Sequence, residues 1–354
     1  MSDSLKIKSH KGPYSVHFDK DAILGLNARV HDNVHFIVDR RVAELYRGEM
    51  PAVLSAPSVI FIDATETNKS LDKFSTYVEH LVQNQVRRDQ ELIAIGGGII
   101  QDISCFLAAT LLRGITWNFY PTTLLAQADS CIGSKSSINS GTKKNILGTF
   151  TPPKEIYLDS AFLNTLDELE MRSGVGEMLK VHAIDGVESF NQIATDYDNL
   201  FSNRTTLIGY VRRALAIKKY YIELDEFDQG PRRIFNYGHT FGHAIEAATN
   251  FTVPHGIAVS MGMDMANWFA WKLEVGSEDN YRRMHAPLAA NYSGFEKVPI
   301  PITSFLAAIS RDKKNVGTKL TLILPDSNGK IFSGSYPNDA RFHTLCAEYF
   351  GGNL

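Results

Sequence analysis

Two histidines one helical turn apart are the clearest chemical signal in the sequence. His239 and His243 lie four residues apart in the segment 236–246, so both imidazoles fall on one face of a predicted helix. His255 follows at the expected start of the next helix. Imidazoles bind divalent metals, and Glu177 could supply the carboxylate of a three-ligand catalytic site with an open position. The histidines therefore predict a metal site, and the alternative is that the helical pair is structural.

Three consecutive glycines suggest a second kind of site. Gly96, Gly97 and Gly98 lie where an apolar run gives way to a helical pattern. Their backbone N–H groups could approach a pyrophosphate, and Asp102 near the helix start would favour the helix dipole. The spacing differs from the usual dinucleotide fingerprint. A tight strand-to-helix turn without a ligand is therefore the alternative to nucleotide binding.

The segment 129–145 is rich in glycine and serine and carries Lys135, Lys143 and Lys144. A loop of this composition can surround an anion with ammonium groups and backbone donors. Ser134 stands where a P-loop requires glycine, which disfavours an ATPase. We predict an anion-binding loop here, with a solvated surface loop as the alternative.

A lysine and an arginine add further cationic groups. Lys218 falls on the apolar stripe of a predicted helix with Val211 and Leu215. An inward-facing lysine is costly unless it is paired, although it could also extend to the rim of the protein. Arg232 precedes Asn236 by one turn, so its guanidinium, the amide and the imidazoles could converge on one anionic substrate.

The elements that must position these groups change character along the chain. Over the first 160 residues, short apolar runs alternate with helical periodicity, which is typical of a parallel sheet with crossover helices. Four such runs are predicted as strands: 34–38, 59–62, 92–95 and 115–120. A helix is predicted over 71–82, between the second strand and the third.

Beyond residue 160 the pattern becomes mainly helical. The capping-box spacing from Thr165 to Glu168 predicts the start of a helix, and breaks are expected at 225–233 and 250–255. A hairpin is predicted around the turn-prone residues 326–329. We therefore predict an α/β N-terminal nucleotide-binding domain with a parallel sheet over 1–160. A mainly α-helical C-terminal domain, which binds metal and substrate, is predicted over 161–354.

Composition excludes several classes of protein. The 354 residues carry 36 Lys and Arg against 39 Asp and Glu, for a net charge of -3, and no basic block stands out. A nucleic-acid partner is therefore not expected. No uninterrupted apolar stretch suggests a signal peptide or a membrane span. The three cysteines are widely spaced, which favours a reducing compartment, and we predict a cytoplasmic protein.

Taken together, the motifs closely resemble the 3-dehydroquinate synthase family of the sugar-phosphate cyclases. They are Gly96-Gly97-Gly98-x-x-x-Asp102, Arg113-Gly114, Pro121-Thr-Thr-Leu-Leu-Ala126, Asp129-Ser130, Lys135, Lys144-Asn145, Glu177-x-x-Lys180 and Asn236-x-Gly-His-Thr-Phe-Gly-His-Ala-Ile-Glu246. The resemblance extends over residues 35–324. It implies an NAD-binding α/β domain, a helical metal-binding domain and a homodimer.

The resemblance also implies a role for each matching residue. Zinc or cobalt would be held by Glu177, His239 and His255, which leaves His243 to face the substrate. The NAD site would comprise Asp39, Glu66, Lys69, Gly97, Gly98, Asp102, Thr122, Thr123, Lys144 and Thr165. The substrate phosphate would be held by Lys135, Asn145, Asn236, His243 and Lys313 or Lys314, with Arg113 from a neighbouring subunit. Lys218 and Arg232 would bind the carboxylate, with Asp129, Lys144 and Lys180 beside the reacting centre.

The implied reaction converts 3-deoxy-D-arabino-heptulosonate 7-phosphate to 3-dehydroquinate and phosphate. It proceeds by transient oxidation with NAD, phosphate elimination, re-reduction and intramolecular aldol closure. Such an enzyme is a carbon–oxygen lyase of the shikimate pathway to the aromatic amino acids. Gln101, Ser134 and Gly176 depart from the family pattern, which has Gly, Gly and Ala there. The alternatives are a sister cyclase acting on another sugar phosphate, such as sedoheptulose 7-phosphate, and a catalytically silent relative.

Overall fold

The computed structural model describes residues 4–141, 143–311, 315 and 319–351. The chain divides into two compact units. Unit 1 comprises the chain up to Asp167 together with Lys218–Asp228, and unit 2 comprises Glu168–Ile217 together with the chain from Gln229 onward. The predicted division near residue 160, with NAD assigned to one domain and metal and substrate to the other, stays a prediction.

Unit 1 is built on a sheet that is mostly parallel. Seven strands of the described chain form it in the order β1-β2-β9-β6-β5-β3-β4, and a separate pair, β7 and β8, is antiparallel. The strands are β1 (Ser4–Ile7), β2 (Tyr14–Phe18), β3 (Val34–Asp39), β4 (Ile60–Ile62), β5 (Glu91–Gly96), β6 (Thr116–Pro121), β7 (Ile138–Ser140), β8 (Lys143–Leu147) and β9 (Glu155–Leu158). Within the larger sheet only the β1–β2 pair is antiparallel. The predicted α/β fold class is confirmed for this part of the chain.

Short helices connect the strands of unit 1. They are α1 (Ala22–Gly25), α2 (Arg40–Leu45), α3 (Pro51–Leu54), α4 (Leu71–Gln83) and α5 (Gly98–Thr110), with 3₁₀ turns at Leu26–Arg29, Leu111–Arg113 and Ser160–Thr165 and a π-helical turn at Ala126–Ser130. One apolar layer under the sheet joins Phe36 and Val38 of β3 to Ile93 and Ile95 of β5. Because both strands are buried, their sequences read as continuous apolar runs, which is why they were predictable.

The carboxyl ends of the central strands meet at one edge of the sheet. The parallel register pairs Val38 with Ile95 and Gly96 with Pro121. The segments that leave β3, β5 and β6 therefore start side by side, and ligands of open α/β sheets bind at such an edge. The glycine run and the threonines predicted to bind NAD belong to these segments.

Unit 2 is mainly helical, as predicted. Its helices are α6 (Glu168–Asp185), α7 (Val187–Thr195), α8 (Asn199–Ser202), α9 (Arg204–Leu224, which belongs to unit 1 from Lys218), α10 (His239–Ala248), α11 (His255–Lys272), α12 (Glu278–Tyr292), α13 (Ile302–Ser310) and α14 (Ala340–Tyr349). A 3₁₀ turn spans Pro231–Asn236, and the predicted hairpin is formed by β10 (Lys319–Pro325) and β11 (Ile331–Pro337). Over the residues with described structure, no helix combines the length and apolar character that a membrane crossing requires.

Helix α11 is the centre of unit 2 and packs against α6, α10 and α12. Glycines allow the backbones to approach closely: a Cβ atom on Gly176 of α6 would lie 2.2 Å from the carbonyl oxygen of Gly256 of α11. A Cβ on Gly256 would lie 1.9 Å from the carbonyl oxygen of Ser173. The two helices are therefore in backbone contact at the residues that precede Glu177 and follow His255.

The start of α6 was wrongly predicted. The helix begins at Glu168, and Thr165 instead ends the preceding 3₁₀ turn. Asp159 caps that turn by accepting a hydrogen bond from Ala161 N at 2.8 Å, and the Thr165 hydroxyl lies 3.0 Å from the Tyr46 hydroxyl. Because Thr165 is engaged there, it does not cap the helix.

Candidate active site

Unit 2 brings together the three residues predicted as metal ligands. Glu177 comes from the middle of α6, His239 from the first residue of α10 and His255 from the first residue of α11. Glu177 Oε1 lies 3.4 Å from His239 Nε2 and 3.2 Å from His255 Nε2. One carboxylate oxygen therefore faces the Nε2 atoms of two imidazoles, which is a donor set that suits a divalent transition metal.

Acceptors behind both imidazoles set the direction in which the rings point. His239 Nδ1 lies 3.2 Å from the carbonyl oxygen of Tyr237, and His255 Nδ1 lies 3.2 Å from Glu246 Oε2. With Nδ1 donating to these oxygens, each Nε2 is directed at Glu177, and loss of its proton would leave a lone pair there for a metal. Carbonyl and carboxylate partners of this kind orient histidine ligands in metal sites. These residues therefore fit the metal that the family resemblance implies.

The charges around Glu177 keep its side chain ionised. Burial would raise its pKa, but the ammonium group of Lys180, one turn away on α6, and the imidazole of His239 outweigh burial and hold the pKa well below its usual range. Burial and Lys180 lower the pKa of His239. Burial opposes protonation of His255 as well, yet its hydrogen bonds to Glu177 and Glu246 raise its pKa to about 10. Glu177 is thus a buried carboxylate whose ionised form is stabilised by Lys180, His239 and His255.

His243 lies beside the same cluster. Its ring centroid is 5.2 Å from that of His239 and 5.6 Å from that of His255, and one ligand atom from each of the three imidazoles lies within 4.8 Å of the others. The side chain of His243 is exposed, whereas Glu177 is only 1% exposed. The geometry thus offers Glu177 and His243 as neighbours of the same two histidines, and the assignment of Glu177 as the third ligand stays a prediction.

In unit 1, the predicted NAD-binding residues that follow the central strands lie at one edge of the sheet. Asp39 ends β3, Gly97 and Gly98 follow β5, and Thr122 and Thr123 follow β6. A Cβ on Gly97 would lie 2.9 Å from Thr123 Cγ2, so the backbone is crowded there. Gly98 opens α5, whose first N–H groups have no partner within the helix and could donate to a pyrophosphate.

A polar network connects four further predicted residues of unit 1. The ammonium group of Lys69 lies 3.1 Å from Asp102 Oδ2, 3.0 Å from Asn145 Oδ1 and 3.4 Å from Glu66 Oε1. Asn139 donates to Glu66 Oε2 at 2.8 Å and accepts from Asn145 N at 2.9 Å. Burial raises the pKa of Asp102 despite Lys69. The segment that carries these contacts is the β7–β8 hairpin, where a loop was predicted.

Two lysines of unit 1 are paired with carboxylates. Lys218 Nζ lies 2.6 Å from Asp129 Oδ1 and donates to the Asp129 carbonyl oxygen at 2.7 Å. Lys218 is 7% exposed. It therefore faces inward and is paired, and it does not extend to the rim of the protein, which was the alternative. Lys135, predicted to hold the substrate phosphate, forms an ion pair with Asp228. Lys218 and Lys135 are thus each held in place by an acidic residue.

The remaining predicted residues are spread over both units. Lys144 and Arg113 are exposed in unit 1, and Arg113 has a positive φ of 68°. In unit 2, Arg232 is buried in the 3₁₀ turn before α10, and Asn236 Nδ2 donates to the carbonyl oxygen of Arg233 at 3.0 Å. The Thr165 hydroxyl lies 3.0 Å from the Tyr46 hydroxyl, and its assignment to the NAD site stays a prediction. Lys313 and Lys314 lie outside the described residues.

Several residues of the site were not predicted. Glu246 orients His255, and the only signal for it was its place on the same helical stripe as the histidines. Asn139 and Asp228 hold Asn145 and Lys135, respectively, and polar residues in a polar segment give no comparable signal. The Tyr237 contact uses a backbone carbonyl, which no residue type could reveal.

Comparison with known proteins places these clusters in a family. The family model for the N-terminal part of 3-dehydroquinate synthase matches residues 59–173, and the model for its C-terminal part matches residues 174–315. The chain belongs to the 3-dehydroquinate synthase family. Its similar relatives include the 3-dehydroquinate synthase of Dictyoglomus thermophilum, 33% identical over 335 residues that cover 93% of each chain. The enzyme of the same name from Rhizobium leguminosarum is 34% identical and covers 84% of this chain and 82% of its own.

Solved structures of sister cyclases have the same fold. A 2-deoxy-scyllo-inosose synthase, solved with carbaglucose-6-phosphate, NAD⁺ and Co²⁺, superposes with a TM-score of 0.84 at 20% identity and covers 99% of this chain and 100% of its own. The 2-epi-5-epi-valiolone synthase of Streptomyces hygroscopicus, solved with NAD⁺ and Zn²⁺, gives a TM-score of 0.81 at 25% identity and covers 96% of each chain. The family predicted from the motifs is confirmed.

Proposed function

We propose that the protein is a 3-dehydroquinate synthase, which converts 3-deoxy-D-arabino-heptulosonate 7-phosphate to 3-dehydroquinate and phosphate. The observation that carries this proposal is the buried cluster of Glu177, His239 and His255 in a chain that is 33% identical to a named 3-dehydroquinate synthase over 93% of its length. A carboxylate buried against two imidazoles lowers the stability of the fold. We would not expect such a group in a relative that has lost catalysis.

The protein would hold two cofactors. Glu177, His239 and His255 would hold zinc or cobalt, and the edge formed by Asp39 and the segments after β5 and β6 would hold NAD. When bound, the metal polarises a substrate oxygen as a Lewis acid, and NAD takes up a hydride that it later returns. The donor chemistry of the imidazole and carboxylate cluster supports the metal. The N–H groups of the first turn of α5, which have no partner within the helix, support the dinucleotide.

The protein's own residues would bind and orient an acidic sugar phosphate. Lys218 and Arg232 would bind the carboxylate of the substrate, and both are buried cations, which favour anions strongly once water is excluded. Lys180 lies beside Glu177 and is suited to move or hold a proton near the metal ligands. Asp129 would direct the ammonium group of Lys218, as the 2.6 Å contact between them indicates.

The phosphate of the substrate would be bound by the remaining polar residues. Lys135, Asn145, Asn236 and His243 are assigned to it, together with Lys313 or Lys314 and with Arg113 of a second subunit. Positive charge fixed around a leaving phosphate stabilises the charge that develops on it. The exposure of Arg113 and its backbone conformation are compatible with a contact to another copy of the chain, so a homodimer is part of this proposal.

The proposal includes a cytoplasmic enzyme of the shikimate pathway. Cys105, Cys131 and Cys346 are buried free thiols, which suits a reducing compartment. Burial raises the pKa of the Cys105 thiol to about 11, so it stays protonated and unreactive.

A turnover assay tests the proposal. Purified protein with NAD and zinc is given 3-deoxy-D-arabino-heptulosonate 7-phosphate, and release of inorganic phosphate is followed together with formation of 3-dehydroquinate. We expect both products in equal amounts and no net NADH. The sister cyclases with TM-scores of 0.84 and 0.81 make another sugar phosphate the second candidate. Turnover of sedoheptulose 7-phosphate alone would refute the first proposal in favour of that candidate.

A further inference from the structure

Gln101 is a buried polar side chain to which the proposed reaction gives no role. It lies in the first turn of α5 and is 6% exposed. Its amide makes two reciprocal hydrogen bonds with Ser130: Gln101 Nε2 donates to the Ser130 carbonyl oxygen at 2.6 Å, and Ser130 Oγ donates to Gln101 Oε1 at 2.7 Å. The amide nitrogen and the amide oxygen of Gln101 are thus both hydrogen-bonded to Ser130.

Ser130 is covalently joined to the residue that holds Lys218. The ammonium group of Lys218 contacts both the carboxylate and the backbone carbonyl of Asp129, at 2.6 and 2.7 Å. Consecutive carbonyl groups, those of residues 129 and 130, are therefore held by Lys218 and Gln101. These residues end a single π-helical turn, an irregular element that side-chain contacts must help to fix.

We infer that Gln101 is a positioning residue for the substrate carboxylate. By holding Ser130, it fixes the Asp129 carboxylate and carbonyl, and these direct the ammonium group of Lys218. The inference rests on the proposed function, in which Lys218 binds that carboxylate. The family pattern has glycine at position 101, and a glycine carries no side chain to make these bonds.

The geometry indicates what loss of the amide would do. Without Gln101 the Ser130 carbonyl loses its partner in a partly buried setting, and we expect residues 129–130 to rotate toward another donor. An ammonium group binds a carboxylate well only when it is correctly placed. A displacement of about 1 Å relative to the substrate can cost about 100-fold in rate. The effect should be selective, because Lys135, which is assigned to the phosphate, is held by a different partner, Asp228.

The test compares two ligands that share the phosphate but differ in the carboxylate. For the wild type, Gln101→Ala and Ser130→Ala, each as full-length protein with NAD and zinc, we would measure KM for 3-deoxy-D-arabino-heptulosonate 7-phosphate and Ki for inorganic phosphate. Gln101→Ala should raise KM by about tenfold, and Ser130→Ala by less, because the Gln101 amide can still donate to the carbonyl. Ki for inorganic phosphate should stay within about twofold in both.

Gln90 supplies a matched control. It is also a buried glutamine of unit 1, 8% exposed, and its side chain bonds His35 and the carbonyl of Asp32 next to the opposite end of β5. Gln90→Ala should lower the unfolding temperature as Gln101→Ala does, yet leave KM unchanged.

The other outcomes would refute either the positioning role or the proposed function. An unchanged KM in Gln101→Ala, or equal rises in KM and Ki, would overturn the positioning role while leaving the proposed function intact. If Gln101→Ala does not fold, Gln101→Met, which fills a similar space without an amide, replaces it, and an unchanged KM in that variant overturns the role. A wild type that does not turn over this substrate refutes the proposed function and the inference together.

Discussion

The close approach of α6 and α11 gives a sharp prediction for Gly176. The family pattern has alanine at this position, and here a Cβ would lie 2.2 Å from the carbonyl oxygen of Gly256 and 2.8 Å from Ser260 Oγ. Ordinary contact needs about 3.5 Å, so the helices must separate by about 1 Å. The Gly256 carbonyl is backbone and cannot rotate away, as a flexible side chain could.

The displacement would act on the proposed metal ligands. Glu177 follows Gly176 directly, and its 3.2 Å contact with His255 spans the same helix pair. Metal sites accept errors of about 0.2 Å in ligand distance, so a shift of about 1 Å should weaken zinc binding by at least about 10- to 100-fold. Overpacking of this kind should also cost about 1–3 kcal/mol of stability.

Zinc affinity from competition with a chelator, together with thermal unfolding, would check this prediction for Gly176→Ala. Gly209→Ala is the matched control, because Gly209 lies within α9 and a Cβ there meets no atom within 4 Å. That control should be more stable by about 0.5–1 kcal/mol and bind zinc as the wild type does. If Gly176→Ala has the zinc affinity and the unfolding temperature of the wild type, the contact between α6 and α11 does not determine the positions of the metal ligands.

Three further predictions concern other parts of the molecule. His255→Ala should abolish bound zinc, measured by mass spectrometry of the metal, whereas His243→Ala should retain it; the opposite pattern would refute the ligand assignment. Lys218→Ala should raise KM for the heptulosonate phosphate by about 10- to 100-fold through loss of a charged hydrogen bond, and an unchanged KM would contradict that role. The hydrogen bond to Asp264 raises the pKa of His285, so the stability that it adds is fully present below the ordinary value of about 6.5 and is lost as pH rises through the higher folded value. His285→Gln should therefore lower the unfolding temperature more at about pH 5.5 than at about pH 9, and equal losses would count against this linkage.

Much of unit 1 could be predicted because its central strands are buried on both faces. The runs at 34–38, 92–95 and 115–120 became β3, β5 and β6 with small changes at their ends. The hairpin of β7 and β8 escaped prediction because its serine, asparagine and lysine residues show no apolar alternation. Contacts such as that of Asn139 with Glu66 fix it instead, and these join residues far apart in the chain.

The candidate site was predictable in its residue types and not in its arrangement. Motif resemblance chose Glu177, His239 and His255, and helical spacing alone would have chosen His239 with His243. Which imidazole nitrogen faces Glu177 depends on Glu246 and on a backbone carbonyl, and these contacts exist only in the folded chain. The role of Gly176 was hidden for the same reason, since its neighbour, Gly256, is remote in sequence.

Unit 1 includes the short segment Lys218–Asp228, which is separated in sequence from the rest of the unit. This limits where the chain can be cut into independent fragments. A fragment cut after Asp167 would lack Lys218, whose ammonium group lies 2.6 Å from the Asp129 carboxylate in the full chain. Removal of one partner of a buried ion pair typically costs about 3–5 kcal/mol. The N-terminal part should therefore not persist as an independent module, and gene truncations or swaps at that boundary should yield insoluble protein unless the helix is carried along.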